Sequence, residues 1–150
     1  MSDPALFTET TQRHKLPFLF AGQAQKEFTV NEALARIDAL LNPAVVEERN
    51  AEPSAPAIGD CYLVAAASVG EFLGQDNNIA CWDGEQWSFA SPSLGMLLRD
   101  NSNGNLLHFD GSWQRSIAPT APSLGDVVDA EARTAIGEII EALKNFGIFS

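Results

Sequence analysis

One local pattern occurs twice in this sequence and limits what the chain can fold into. Ile79-Ala80-Cys81-Trp82-Asp83-Gly84-Glu85-Gln86-Trp87-Ser88-Phe89 is the first copy, and Leu106-Leu107-His108-Phe109-Asp110-Gly111-Ser112-Trp113-Gln114 is the second. Both read as an apolar run, an aromatic residue, Asp-Gly, and then a Trp within three residues. Asp-Gly between strand-forming runs is a hairpin signal, because Gly accepts the positive φ that tight turns require. The pattern therefore predicts two β-hairpins with aromatic rings beside their turns and with Gly84 and Gly111 at positive φ. Asp60-Cys61-Tyr62-Leu63-Val64 adds another apolar run of strand formers. Residues 59–117 thus read as β structure, with Ser91–Leu98 and the polar loop Asn101–Asn105 as connections.

Helices are expected on either side. Thr29 and Glu32 have the spacing of a capping box. Behind them Val30, Ala33, Leu34, Ile37, Leu40 and Leu41 recur at helical intervals until Pro43. This predicts a helix over about Val30 to Leu41. The stretch 51–58 is an extended loop stiffened by Pro53 and Pro56. Residues 118–125 have linker composition. Beyond them Ala132, Ile136, Ile139, Leu143 and Phe146 are spaced 4, 3, 4, 3, a two-repeat heptad seam, and Gly147 fits the helix stop. Ile140 widens the stripe. Such a short helix is marginal alone, so its seam must pack back on its own chain or on other copies. Self-association is the sharper expectation. The predicted organisation is an N-terminal docking segment (1–28), a helix plus β domain (29–117), a linker (118–125) and a C-terminal helix (126–150). The fold class is α+β, mostly β: a small antiparallel β domain with an N-terminal helix and a C-terminal oligomerising helix.

Charge removes several functions. Twenty acidic residues face nine basic ones, for a net charge of -11. No basic residue lies between Arg49 and Arg99. A nucleic-acid partner is not expected, since phosphate neutralisation needs Lys and Arg. An anionic membrane surface would repel such a chain. No apolar run approaches the length of a membrane span, and the N-terminus lacks the pattern of a signal peptide. Cys61 and Cys81 are expected to be buried, unpaired thiols of a cytoplasmically made protein. No nucleophile elbow, P-loop, HExxH or CxxC occurs. Cys61, Cys81 and His108 have no metal-ligand spacing. The expectation is no enzyme, no cofactor and no metal. The rings at Trp82, Trp87, Phe89, Phe109 and Trp113 either fill the core or stack on a ligand. Trp87 and Trp113, which follow the Asp-Gly turns, are the candidate glycan contacts.

The segment from Thr11 to Leu41, with Gly22-Gln23-Ala24-Gln25-Lys26 and Thr29-Val30-Asn31-Glu32-Ala33-Leu34 inside it, resembles the opening of a domain-of-unknown-function family. That family occurs in structural proteins of alphaproteobacterial phages, prophages and gene transfer agents. Gly59-Asp60-Cys61-Tyr62-Leu63-Val64 and Ile79-Ala80-Cys81-Trp82 are similar to its later motifs. The resemblance covers roughly residues 11–115. It implies a virion structural protein, a head spike or fibre base joining the particle to a distal fibre or host-contact element. Its expected partners are itself, in three or five copies around a symmetry axis, other virion proteins of the capsid, tail or fibre, and capsular polysaccharide on the host. Its expected location is the virion, after synthesis in the bacterial cytoplasm. The apolar cluster Leu16, Phe18 and Phe20 reads either as a docking element for a neighbour or as an extended strand on its own domain. The alternative function is a carbohydrate-binding module contacting host surface polysaccharide.

Overall fold

The computed structural model describes residues 9–19, 22, 26–123 and 129–149. The chain is α+β and mostly β, with eight short strands in two sheets and a helix toward each end. It divides into two compact units, residues 1–91 and 92–150. The division falls between the two Asp-Gly hairpins, so what reads in sequence as one β domain over 29–117 is shared by two units.

The first unit holds α1 (Lys26–Leu40), β1 (Ala44–Val45), β2 (Glu48–Arg49), β3 (Cys61–Val64), β4 (Ile79–Trp82) and β5 (Trp87–Ala90). Its sheet runs β2-β3-β4-β5. β3, β4 and β5 are antiparallel, and β2 joins β3 in parallel, Glu48 opposite Leu63. The register sorts the side chains. Tyr62, Val64, Ala80, Trp82, Trp87 and Phe89 share one face; Cys61, Leu63, Ile79, Cys81, Ser88 and Ala90 share the other. Phe72, from a 3-10 turn at Gly70–Phe72, is fully buried against the first face with Tyr62, Val64 and Ala80. Burial on both faces explains why β3 is an unbroken apolar run rather than an alternating one.

The second unit holds β6 (Leu97–Asp100), β7 (Asn105–Phe109), β8 (Trp113–Arg115) and α2 (Ala130–Asn145). The three strands form an antiparallel meander. The buried Asp100 holds the β6–β7 turn, accepting from the Ser102 backbone amide at 3.0 Å, the Ser102 hydroxyl at 2.6 Å and the Asn103 side-chain Nδ2 at 3.0 Å. Arg115 lies 3.6 Å from the same carboxylate. Leu98, Leu107 and Ile140 are buried here.

Both Asp-Gly turns form as the sequence predicts. Gly84 sits at φ 110° and Gly111 at φ 116°. Asp83 accepts from the amides of Glu85 and Gln86, both at 2.8 Å, which closes the first turn.

Three expectations are corrected. The first helix spans Lys26–Leu40, so Thr29 lies inside it and caps nothing. The first-turn carboxylate of Glu27 instead accepts from the Gly22 amide at 3.3 Å. Cys61 and Cys81 are not free thiols; they form a disulfide. They face each other in register on β3 and β4, 4.1 Å apart at Cα. The ladder hydrogen bond from Trp82 N–H to Asp60 O marks the adjacent pair as the hydrogen-bonded one. Cys61 and Cys81 thus occupy the closer non-hydrogen-bonded position, where side chains meet. Ile140 does not widen the outer stripe of α2, because it is the one residue of that helix buried in its own unit.

Candidate functional site

Two helix faces remain uncovered. α2 is a well-made helix: Asp129 caps it by accepting from the Ala132 amide at 2.8 Å, and Lys144 stands in the last turn. It ends in a Schellman motif, with Gly147 at φ 82°, Gly147 N–H on Lys144 O and Ile148 N–H on Leu143 O. The end is anchored, since Leu106 N–H donates to Gly147 O at 2.6 Å and Ser116 bridges Phe149. Arg133, Gly137 and Ile140 turn inward. The seam read from the sequence turns outward: Ile136, Ile139 and Phe146 are 43%, 58% and 71% exposed. Ala132 is exposed, and Leu143 is half-buried next to Ile148. The inner face thus packs back on the chain through Ile140, and the seam itself does not.

α1 buries a polar face. Val30, Ile37 and Leu41 of the helical spacing that predicts α1 are exposed, as is Phe28, whereas Leu34 and Leu40 are half-buried. The inward face carries Asn31, Asp38 and Ala39. The reason is the N-terminal segment, which folds against it. Asp38 is buried and accepts from the Thr11 hydroxyl at 2.7 Å, the Arg13 amide at 2.7 Å and the His14 amide at 2.6 Å. His14 Nδ1 lies 3.2 Å away. Burial pushes the Asp38 carboxyl up, but the hydrogen bonds from Thr11, Arg13 and His14 outweigh it and hold the group below its ordinary value of 3.8. Asn31 takes both polar groups of Leu19, accepting from its amide at 2.8 Å and donating to its carbonyl at 3.2 Å. Arg13 donates to the carbonyls of Ala39 and Asn42 near the C-terminus of α1.

Of the expected docking residues, Leu16 and Phe18 are half-buried in this segment on its own unit, and Phe20 lies outside the described residues. Sequence reasoning missed Asp38, Thr11 and Arg13. The available signal was an Asp and an Asn, seven residues apart, on one side of the helix. A cleft of about 110 Å³ lies between this assembly and the disulfide. The Arg13 and Asp38 side chains that line it are committed to the contacts above.

The aromatic candidates differ from each other. Trp87 is half-buried, with ring centres 5.0 Å from Trp82, 5.1 Å from Phe72 and 5.8 Å from Tyr62. Trp113 packs on Phe109 at 5.2 Å beside the second turn. Among the described residues, no group of three or more His, Cys, Asp or Glu is placed to hold a metal, and no helix is long and apolar enough to cross a membrane.

No curated protein matches the chain. Residues 30–114 match the family described as "Protein of unknown function (DUF2793)". That match runs from within α1 to within β8, more than half of the sequence, and the chain therefore belongs to the DUF2793 family.

Proposed function

We propose that this protein is a structural component of a phage-like particle or gene transfer agent, a head spike or fibre base that assembles from several copies of itself. The observation that carries the reading is the outward seam of α2. A helix capped at both ends and anchored to its meander nonetheless presents Ile136, Ile139 and Phe146 to water. Contiguous apolar surface of this kind marks a protein–protein contact. The resemblance of residues 11–115 to virion structural proteins supplies the setting, with capsid, tail or fibre proteins as the other partners and the virion as its place.

The seam is tested with Ile136→Asp combined with Ile139→Asp. These two are better choices than Leu143, which also serves the Schellman motif. Each isoleucine is about half exposed, so its complete burial is worth about 0.7–1.5 kcal/mol per chain, half of the usual value. Light scattering should show a closed oligomer for the wild type and a folded monomer for the double variant. A wild type that is monomeric at high concentration overturns the assembly reading.

A further inference from the structure

We propose that the N-terminal segment, residues 9–18, gates the Cys61–Cys81 disulfide: a soluble thiol reduces the bond only while the segment is lifted off its own unit. The proposal is independent of the assembly reading above. Three observations carry it.

First, the segment is a small hairpin with hydrogen bonds of its own. Thr10 bridges Pro17, Thr11 N–H donates to Leu16 O at 2.9 Å, and Phe18 N–H donates to Glu9 O at 3.0 Å. The Leu16 amide also donates to the Thr11 hydroxyl at 3.0 Å. These bonds stay made when the hairpin moves as a body. Its hydrogen bonds to the helix side come from few groups: the three donors on Asp38, and the Arg13 guanidinium on Ala39 O and Asn42 O, both at 2.9 Å. An element held by so few bonds opens at lower free energy than the sheet core.

Second, the hairpin borders the disulfide. Thr11, Gln12, Arg13 and Phe18 line the same cleft as Cys61 and Cys81. The contact is close: a Cβ on Gly59, two residues before Cys61, would come 2.8 Å from Gln12 Cβ. Third, the space at the sulfurs is small. Cys61 is buried and Cys81 half-buried. The cleft of about 110 Å³ is smaller than the roughly 150 Å³ cavity that takes up benzene, and dithiothreitol is larger than benzene. Exchange requires a thiolate to reach one of the sulfurs. The thiolate of a dithiol bonds to one cysteine sulfur, the S–S bond breaks, and the other cysteine leaves with the electron pair as a thiolate. The second thiol of the reagent then displaces the first cysteine. The reagent ends as a cyclic disulfide, having supplied two electrons, and the protein ends with two thiols. In the docked state the cleft does not admit the reagent, so exchange waits for the hairpin to lift. A chain that oxidises before the hairpin docks therefore keeps its disulfide in a reducing solution.

The test is the rate of reduction of the full-length chain by excess dithiothreitol, followed by acid quenching, alkylation and mass spectrometry. The folded wild type should be reduced more than about 100-fold more slowly than the chain in denaturant. Asp38→Ala should speed reduction of the folded protein about 100-fold, in step with opening of the hairpin. Thr11→Val keeps the carboxylate and its two backbone donors and should speed reduction about tenfold; it carries the same comparison if Asp38→Ala does not fold. Gly111→Val, in the other unit, should leave the rate unchanged. Wild-type reduction as fast as in denaturant overturns the gate. So does a rate within threefold of wild type in both hairpin variants. Acceleration by Gly111→Val equal to that of the hairpin variants also overturns it, because reduction would then run through global unfolding.

Discussion

Replacing Asp38 by Ala should release the N-terminal segment from α1 while the sheet behind it stays folded. Three donors converge on this one carboxylate, from Thr11, Arg13 and His14, all at 2.6–2.7 Å. A hydrogen bond to a charged acceptor is worth about 1.5–3 kcal/mol. Three bonds sharing one acceptor do not add independently, so the combined loss is set at about 3 kcal/mol. The segment can detach on its own, which caps the effect on global stability and concentrates it in local opening. About 3 kcal/mol corresponds to roughly 100-fold in the opening equilibrium. Arg13 and Lys15 are trypsin sites inside the segment. Where reclosing is fast, cleavage tracks the open population, so cutting there should accelerate about 100-fold in Asp38→Ala. Asp38→Asn keeps an acceptor oxygen without the charge and should fall near tenfold. Acidification should mimic the substitution. The folded pKa lies below 3.8, so the stabilisation is complete above that value and is lost as pH falls through the folded pKa. Cleavage within threefold of wild type in Asp38→Ala would refute the clamp.

Three other outcomes are expected. Thiol titration in denaturant should find no free cysteine until reductant is added. Closing a loop of 20 residues predicts that reduction costs about 3 kcal/mol in a denaturant melt. Gly84→Val and Gly111→Val should each cost about 1–3 kcal/mol through forced positive φ. Gly84→Val should cost more, because its new Cβ would lie 3.1 Å from Ile58, whereas Gly111 faces open space. Gly147→Ala should detach α2 from the meander, since its Cβ would collide with the Gly104 carbonyl; loss of helical circular dichroism ahead of the main thermal transition would report this.

The legible parts of the fold were those encoded locally. Asp83-Gly84 and Asp110-Gly111 determine their turns within four residues, and Asp129 and Gly147 determine the ends of α2 in the same way. The outer face of α2 was legible because a heptad seam needs no knowledge of the rest of the chain. What escaped depends on distant pairing. The Cys61–Cys81 bond follows from strand register across 20 residues, which their isolated positions do not reveal. The buried face of α1 was not legible, because periodicity finds an apolar stripe without saying what it meets. The donors on residues 11–14 required Asp38 to point inward, and that turned Ile37 and Leu41 toward solvent.

The central claim is that this chain is part of a particle. Nuclease-treated particles should be purified from producing cells by density gradient, and the fractions probed with antibody to the chain. The chain should band with the nuclease-protected DNA, at a fixed ratio to the capsid protein across the peak, and remain bound after a high-salt wash. Abundant particles with the chain confined to the soluble fractions at the top of the gradient would contradict the account.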